Sequence, residues 1–242
     1  TYILYRKQRE NVRKIQSTAN EYIHLVNSYL HDNISLEDEN SMATYSVGGL
    51  ILSNSGMITS NYWLSEVYDA QITNAHKNGD LYIHNINMLT GCSAGWSLED
   101  LILKGLPSVN KMISSLPAKH LSTLCNQMVN FLGIMQNEWA SAQSFAHFDT
   151  LLVPFIHQDK LSVKMVSDCL ESFIYGINIP SRWGTQAPFS QITLDWNVPQ
   201  EFINKKAIVA GGECDFTYGD CQKEMKLSLI HISEPTRPEP IS

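Results

Sequence analysis

The longest amphipathic pattern in the sequence spans residues 118–138 and constrains the fold more than any other feature. Its apolar side chains recur at steps of three and four residues, at Leu121, Leu124, Met128, Phe131, Leu132 and Met135. This spacing predicts a long α-helix with one buried face. Residues 160–174 repeat the pattern, while residues 81–83 and 192–194 are short apolar runs typical of buried strands. Helices that alternate with strands favour an α/β architecture.

Shorter helical patterns occupy residues 47–59, 68–78 and 98–104. Residues 2–30 also carry helical periodicity after a short basic lead-in. Residues 31–44, in contrast, are rich in Asp, Asn, Ser and Glu and lack apolar periodicity. We therefore expect a linker there, with a domain boundary inside it.

The formal charge of -7 is spread along the 242 residues and no basic patch is present. Proteins that bind nucleic acid or anionic membranes need such a patch, so neither is expected as a partner. No apolar run approaches the roughly 18 residues of a membrane span, and the first residues lack the apolar core of a signal peptide. A cytoplasmic location is the resulting expectation.

Five cysteines stand at irregular spacing: Cys92, Cys125, Cys169, Cys214 and Cys221. An odd number without a C-x-x-C pair is typical of reduced thiols rather than of a disulfide framework. Cys214 and Cys221, followed by His231, do not have the spacing of paired zinc ligands, so no metal site is predicted in this chain. Cys125 and Cys169 lie at helical positions among apolar neighbours and are assigned to packing.

Residues 227–242 change character abruptly and contain prolines at positions 235, 238 and 240. Prolines at this density cannot continue the helix that is predicted to begin near Gly219. The segment also resembles the translation of a sequencing adaptor. We therefore expect a non-native tail and leave it out of the fold prediction.

Two side chains before residue 97 are candidates for chemistry. His84 follows the predicted strand at residues 81–83, where α/β proteins collect polar groups, although a lone histidine often only satisfies a backbone carbonyl. Cys92 lies among small residues that let a ligand approach a thiol able to donate a hydrogen atom. A cytosolic cysteine is also often a small buried apolar residue, so both interpretations stay open.

The loop at residues 178–189 carries polar side chains, among them Ser181, Arg182 and Gln186, between two prolines. Its chemistry fits a rigid ligand wall and a structural crossover equally well. No Walker glycine loop, no G-x-G-x-x-G and no serine-hydrolase signature is present. P-loop phosphoryl transfer, nicotinamide chemistry and serine hydrolysis therefore lack support.

Several segments together resemble the anaerobic, class III ribonucleoside-triphosphate reductases: residues 79–86, 92–101, 117–120, 142–156 and 178–196. The resemblance is ordered and nearly continuous from residue 2 to residue 225. It implies a ten-stranded α/β barrel of the glycyl-radical enzyme type, whose amino-terminal part would be residues 16–226. Residues 1–15 resemble the end of the ATP-cone, a small regulatory domain, of which only the last helix would be present.

The resemblance also implies a reaction that makes deoxyribonucleotides for DNA synthesis. In the family, a glycyl radical generates a thiyl radical on a cysteine, the thiyl removes the 3′ hydrogen of the ribose, and water leaves from the 2′ carbon. Formate or a thiol system supplies the electrons, and a radical-SAM activating enzyme is the implied partner. The thiyl cysteine, the zinc cysteines and the radical glycine would all follow Met225.

The resemblance assigns roles to residues of this chain. Cys92 matches a cysteine on the first barrel strand that faces the substrate ribose, with the implied role of hydrogen donor. His84 matches a histidine that lines the same pocket, and Ser181, Arg182 and Gln186 become candidates for binding the ribonucleoside triphosphate.

The helix at residues 119–138 resembles the one that forms the dimer interface and the effector site in this family. Lys119 and Gln127 are therefore candidate contacts to ATP or dNTP effectors, and the intact protein is expected to be a homodimer. One departure concerns the first strand. Where family members commonly have His-Ile-His-Asp, this chain has Tyr82-Ile83-His84-Asn85, so no role is implied that needs the first histidine or the acidic residue.

Two alternatives stay open. A glycyl-radical lyase of the pyruvate formate-lyase type shares the barrel, but the ATP-cone remnant and the helix after Lys119 favour the reductase. A noncatalytic nucleotide-binding or dimerisation module is the alternative from a different class of protein.

Overall fold

A computed structural model describes residues 23, 24, 26, 27, 47–106, 114–181 and 187–225. The chain divides into two units, Thr1–Leu89 and Thr90–Ser242. The predicted ATP-cone remnant, the linker at residues 31–44 and the tail at residues 227–242 lie outside the described residues.

From residue 47 onward, the first unit forms α1 (Val47–Tyr62), a π-helical turn (Trp63–Val67) and α2 (Ala70–Asn78). The Asp69 carboxylate starts α2 by accepting a hydrogen bond of 2.9 Å from the Ile72 amide. Gly79 ends α2 in a left-handed conformation (φ 84°), which glycine adopts without steric cost. Both α-helices lie where the periodicity predicted them.

The predicted strand at residues 81–83 is wrong. Leu81 and Tyr82 are 45% and 71% exposed, and the segment forms a bend and turns. The reason is local, because the amides of Asp80 and Leu81 donate to the Ala75 carbonyl and close the end of α2. Amides used in this way are not available to a strand ladder.

The second unit alternates strands and helices: β1 (Ala94–Trp96), α3 (Leu98–Lys104), α4 (Leu121–Met135), β2 (Gln143–Phe145), α5 (Phe148–Asp159), α6 (Val163–Ile177), β3 (Ser190–Ile192), α7 (Gln200–Ile203), β4 (Lys206–Val209), β5 (Gly212–Thr217) and a 3-10 turn (Gly219–Cys221). β1, β2 and β3 form a parallel sheet in this order, in which Gln143 pairs with both Ala94 and Ser190. β4 and β5 form an antiparallel hairpin. The predicted mixed α/β architecture is confirmed at this level.

Helices α3, α4 and α6 correspond to predicted ones. The Ser97 hydroxyl accepts a hydrogen bond of 3.1 Å from the Asp100 amide at the start of α3, as expected of a helix-capping serine. Ser162 caps α6 in the same way. This helix begins later than predicted because Lys160 takes a left-handed conformation (φ 49°) that ends α5.

Helix α5 lies at the centre of the core, where every residue from Phe148 to Ile156 is buried. It was not predicted, because a helix that is buried all round has no polar face and therefore no amphipathic period. The apolar stripe of α4 is buried as predicted. The large side chains that are almost completely buried include Leu98, Ile102, Leu121, Leu124, Met128, Leu132, Phe145, Phe148, Leu152, Phe155 and Ile156.

One buried carboxylate joins the ends of β2 and β3. Asp149, which is fully buried, accepts hydrogen bonds from the amides of Thr150 (3.0 Å), Asp195 (2.9 Å) and Trp196 (3.0 Å). Trp196 has a left-handed backbone (φ 65°), which is uncommon for a residue with a side chain. The carboxylate stabilises this conformation. β3 shares only Ile192 with the strand predicted at residues 192–194, since the chain beyond it turns so that the amides of Asp195 and Trp196 reach Asp149.

Replacing Asp149 by Asn should lower the free energy of unfolding by about 2 kcal/mol, because a charge-assisted acceptor is lost and an NH2 group faces backbone donors. Urea unfolding followed by circular dichroism measures the change. Asp215→Asn is the matched control, since Asp215 is exposed, and should change the free energy by less than about 0.5 kcal/mol. Equal effects of the two substitutions would contradict the role given to Asp149.

Candidate active site

Cys92 lies at the amino edge of the parallel sheet, two residues before β1, and its side chain is exposed. Backbone pairing extends beyond the strands at this edge. The Ser141 amide donates to the Cys92 carbonyl at 2.6 Å, and the Ala140 amide donates to the Gly91 carbonyl at 3.0 Å. The backbone that carries the thiol is therefore fixed to the segment that precedes β2.

Ser181 is held to the other end of the same segment. The side-chain amide of Gln136, which is 2% exposed and caps the carboxyl end of α4, donates to the Ser181 hydroxyl. Residues 136–141 thus contact Ser181 at one end and the Cys92 backbone at the other. Arg182 and Gln186, the two further substrate candidates, lie outside the described residues.

Aromatic rings pack beside this edge. The ring of Trp96 lies edge-on to those of Phe131 and Trp139, with centroid distances of 5.3 Å and 5.9 Å. The Trp96 indole N–H donates to Gln143 Oε1 at 2.5 Å, which fixes the ring against β2. Close packing of this kind gives the candidate site a rigid support.

His84 lies in the first unit, in the turns that follow α2, and is exposed. Its ring stands edge-on to that of Tyr82 at a centroid distance of 4.7 Å. The prediction that a strand delivers His84 to the site is wrong, as described above. Its participation in a pocket with Cys92 stays a prediction.

The effector candidates lie towards the other end of α4. Lys119 is exposed and precedes this helix, which has 15 residues and is therefore about 22 Å long. Gln127 is buried near the middle of α4, and its Nε2 donates to Ser115 Oγ and to the Leu116 carbonyl, both at 2.7 Å. The NH2 group of Gln127 thus binds the Ser115 side chain and the Leu116 backbone. Effector contacts from Lys119 or Gln127 stay a prediction.

A cavity of about 580 Å³ opens at the amino end of α4, between this helix, the end of α5 and the start of α6. Its walls include Ser122, Met165 and Asp168, and His120 Nδ1 lies 2.8 Å from Asp159 Oδ2. The volume falls within the range of small-molecule sites.

The carboxyl edge of the sheet holds a polar network that the sequence analysis missed. His147 Nδ1 lies 3.0 Å from both carboxylate oxygens of Asp195, and the Thr150 hydroxyl donates to Asp195 Oδ2 at 2.5 Å. Glu201 Oε1 lies 3.8 Å from His147 Nε2. A signal was available, because His147 and Asp195 each follow a strand closely, where parallel sheets collect polar groups.

The five cysteine thiols differ in how deeply they are buried. Cys125 is 2% exposed, and burial together with the neighbouring Cys169 raises its pKa to about 12. Burial and nearby carboxylates raise the pKa of Cys221 to about 12 as well, and burial raises the pKa of Cys169 and of Cys214. The assignment of Cys125 to packing agrees with this environment, whereas Cys92 is exposed.

The described residues do not fit a zinc ion, since no group of three His, Cys, Asp or Glu side chains among them could hold a metal. Within the same residues, no helix combines the length and apolar character needed to span a membrane.

The fold is shared with solved anaerobic ribonucleotide reductases. A crystal structure from Thermotoga maritima in complex with dATP and CTP matches with a TM-score of 0.63 and 19% identity, over 92% of this chain and 41% of that chain. A second crystal structure from Thermotoga maritima, with citrate in the active site, matches with a TM-score of 0.64 and 18% identity, over 93% of this chain and 44% of that chain. A structure described as an anaerobic ribonucleotide reductase matches with a TM-score of 0.68 and 20% identity, over 87% of this chain and 36% of that chain.

These likenesses define a mixed α/β protein with the fold of such reductases, and the chain spans less than half the length of each. The sequence model of the family described as anaerobic ribonucleoside-triphosphate reductase matches residues 39–237. The chain therefore belongs to the anaerobic ribonucleoside-triphosphate reductase family. The match begins after residues 1–15 and reaches into residues 227–242. Among curated proteins, none matches the chain.

Alkylation of the folded chain with iodoacetamide at about pH 8 should modify Cys92 well before Cys125 and Cys221. Only the thiolate reacts, and a pKa of about 12 leaves about one thiol in 10⁴ ionised at that pH. Mass spectrometry of the digested protein measures each site, with the urea-unfolded chain as the control in which all five thiols react. Equal rates for Cys92 and Cys125 in the folded chain would contradict the described packing of α4.

Proposed function

We propose that this chain forms part of the catalytic subunit of an anaerobic reductase that converts ribonucleoside triphosphates to deoxyribonucleotides for DNA synthesis. The observation that carries the proposal is the family match over residues 39–237. An exposed thiol on a fixed backbone, at one edge of three parallel strands, supports it. The family match favours the reductase over a lyase of the pyruvate formate-lyase type.

In this proposal, Cys92 donates a hydrogen atom to the ribose in the reduction step. The S–H bond breaks and a C–H bond forms on the sugar. Formate, which is oxidised to CO2, or two thiols, which are oxidised to a disulfide, supply two electrons. One electron, with a proton, restores the Cys92 thiol, and the other, with a proton, completes the reduction of the sugar. The radical chemistry is supplied by a glycyl radical, expected beyond Met225 and formed by a radical-SAM activating enzyme. The hydrogen bond from Ser141 to the Cys92 carbonyl restricts where the thiol meets the sugar.

Ser181, Arg182 and Gln186 are proposed to bind the substrate, with His84 at the same pocket. Ser181 supports this assignment because Gln136 anchors its hydroxyl next to the segment that holds the Cys92 backbone. Residues 178–189 precede β3 in the sequence, so their polar side chains would come to the same edge of the sheet as the thiol.

The finer architecture belongs to the same proposal. β1, β2 and β3 would be consecutive strands of a ten-stranded barrel, preceded by the last helix of an ATP-cone at residues 1–15. The zinc site is expected outside this chain, and the intact protein is expected to be a cytoplasmic homodimer. ATP or dNTP effectors would bind near Lys119 and Gln127. The cavity at the amino end of α4 is lined by His120, the neighbour of Lys119, and not by Lys119 or Gln127 themselves.

The Cys92→Ala variant of the full-length, activated enzyme should lose reduction of ribonucleoside triphosphates by at least about 10³-fold, because among the described residues Cys92 carries the one thiol at this edge. Product formation is measured by chromatography of the nucleotides under anaerobic conditions. Cys214→Ala is the matched control, since this thiol lies on the hairpin strand β5, and should retain activity.

Retention of activity by Cys92→Ala would contradict the role of the thiol. A full-length protein that binds dNTPs but reduces no ribonucleotide would instead support the alternative of a noncatalytic nucleotide-binding or dimerisation module.

The coding DNA read across the junction between Met225 and Leu227 should continue, in the native gene, into a cysteine-bearing loop, a zinc site and a glycyl-radical motif. Sequencing of the source genome measures this. A native gene that ends at Ser242 would contradict the proposed enzyme, because no radical could then be generated on the same chain.

A further inference from the structure

The ring of Trp139 lies against the backbone of Gly91, the residue before Cys92. A Cβ atom added to Gly91 would lie 2.9 Å from Trp139 Cε3 and closer still to Cζ3. Real Cβ atoms do not approach other atoms so closely, so any side chain at position 91 must displace the ring or the backbone. Glycine at this position lets the indole reach the chain immediately before the thiol.

Hydrogen bonds from the residues on both sides of Trp139 join residues 138–141 to residues 90–92. The Thr90 hydroxyl donates to the Glu138 carbonyl, and the amides that follow Trp139 donate to the carbonyls of Gly91 and Cys92. We call this set of three hydrogen bonds, between residues 138–141 and residues 90–92, the latch. The indole lies against Gly91, whose carbonyl accepts one of these hydrogen bonds, so its position and that of the Cys92 backbone are coupled.

The indole is itself held in place from the other side. Its ring contacts the edge of Trp96, which belongs to β1 and is bonded to Gln143 of β2. A displacement of Trp139 towards the sheet would therefore disturb β1 and β2. A clash between the ring and a side chain added at position 91 would instead be relieved by a displacement of the position 91 backbone. The position of the backbone before Cys92 thus depends on the Trp139 ring.

We propose that Trp139 is a positioning residue for the Cys92 thiol and acts through its contact with Gly91. The inference rests on the proposed role of Cys92 as hydrogen donor. Hydrogen transfer needs the sulfur close to one carbon of the sugar, and a misplacement of about 1 Å can reduce the rate about 10²-fold. Substrate binding depends on other residues, so the effect falls on kcat rather than on KM.

The test is a double-mutant cycle in the full-length, activated enzyme with Gly91→Ala and Trp139→Leu. Each single variant should lower kcat about tenfold or more with KM unchanged. The double variant should recover part of the loss of Gly91→Ala, because the smaller side chain at position 139 leaves room for the methyl group. Gly212→Ala is the matched control, since an added Cβ there meets nothing within 4 Å.

Hydrogen exchange gives a readout that does not depend on turnover. The amides of Ala140 and Ser141 donate to the latch and should exchange faster in Gly91→Ala than in the parent or in Gly212→Ala. Trp139→Phe keeps a six-membered ring and should retain most of kcat and most of the protection.

Unchanged kcat in Gly91→Ala and Trp139→Leu, with Cys92→Ala inactive, would overturn this inference and leave the proposed function intact. Additive losses in the double variant would also overturn it, because they would separate the two residues. An active Cys92→Ala enzyme would instead remove the proposed function, while the exchange rates of Ala140 and Ser141 would still report on the latch.

Discussion

The carboxylate of Asp149 is the interaction on which the second unit depends most. It is fully buried and binds the backbone amides at the end of β3 from the first turn of α5. A buried charge is stable only when backbone or side-chain donors surround it, so the ends of β2 and β3 cannot separate without a large cost. The parallel sheet owes its alignment at this edge to that requirement.

The two edges of the sheet carry different chemistry. At the carboxyl edge, His147 and Thr150 both hydrogen-bond to the Asp195 carboxylate, and the Asp195 amide donates to Asp149. At the amino edge, Gln136 bonds to the Ser181 hydroxyl and the Trp139 ring lies against Gly91, while the thiol of Cys92 is exposed. The polar side chains of the carboxyl edge thus bond within the protein, whereas the amino edge presents an exposed thiol on a fixed backbone. This difference directs the proposed reaction to the amino edge.

Local patterns predicted those parts of the fold whose faces differ in polarity. Helix α4 has an apolar and a polar face and was predicted, whereas α5 is buried all round and was not. The strand predicted at residues 81–83 does not form, because the Leu81 amide donates to the Ala75 carbonyl at the end of α2. Cys92 was predicted as a candidate because its neighbours are small. Its place near Trp139 and the hydrogen bonds from Asp195 to Asp149 were not predicted, because each joins segments about 46 residues apart and no local pattern relates such segments.

The most direct test of the account is a structure of the full-length protein with a ribonucleoside triphosphate bound. We expect the ribose to lie at the amino edge of β1, β2 and β3, next to the thiol of Cys92 and the hydroxyl of Ser181. A ribose bound at the carboxyl edge, against His147 and Asp195, would contradict it.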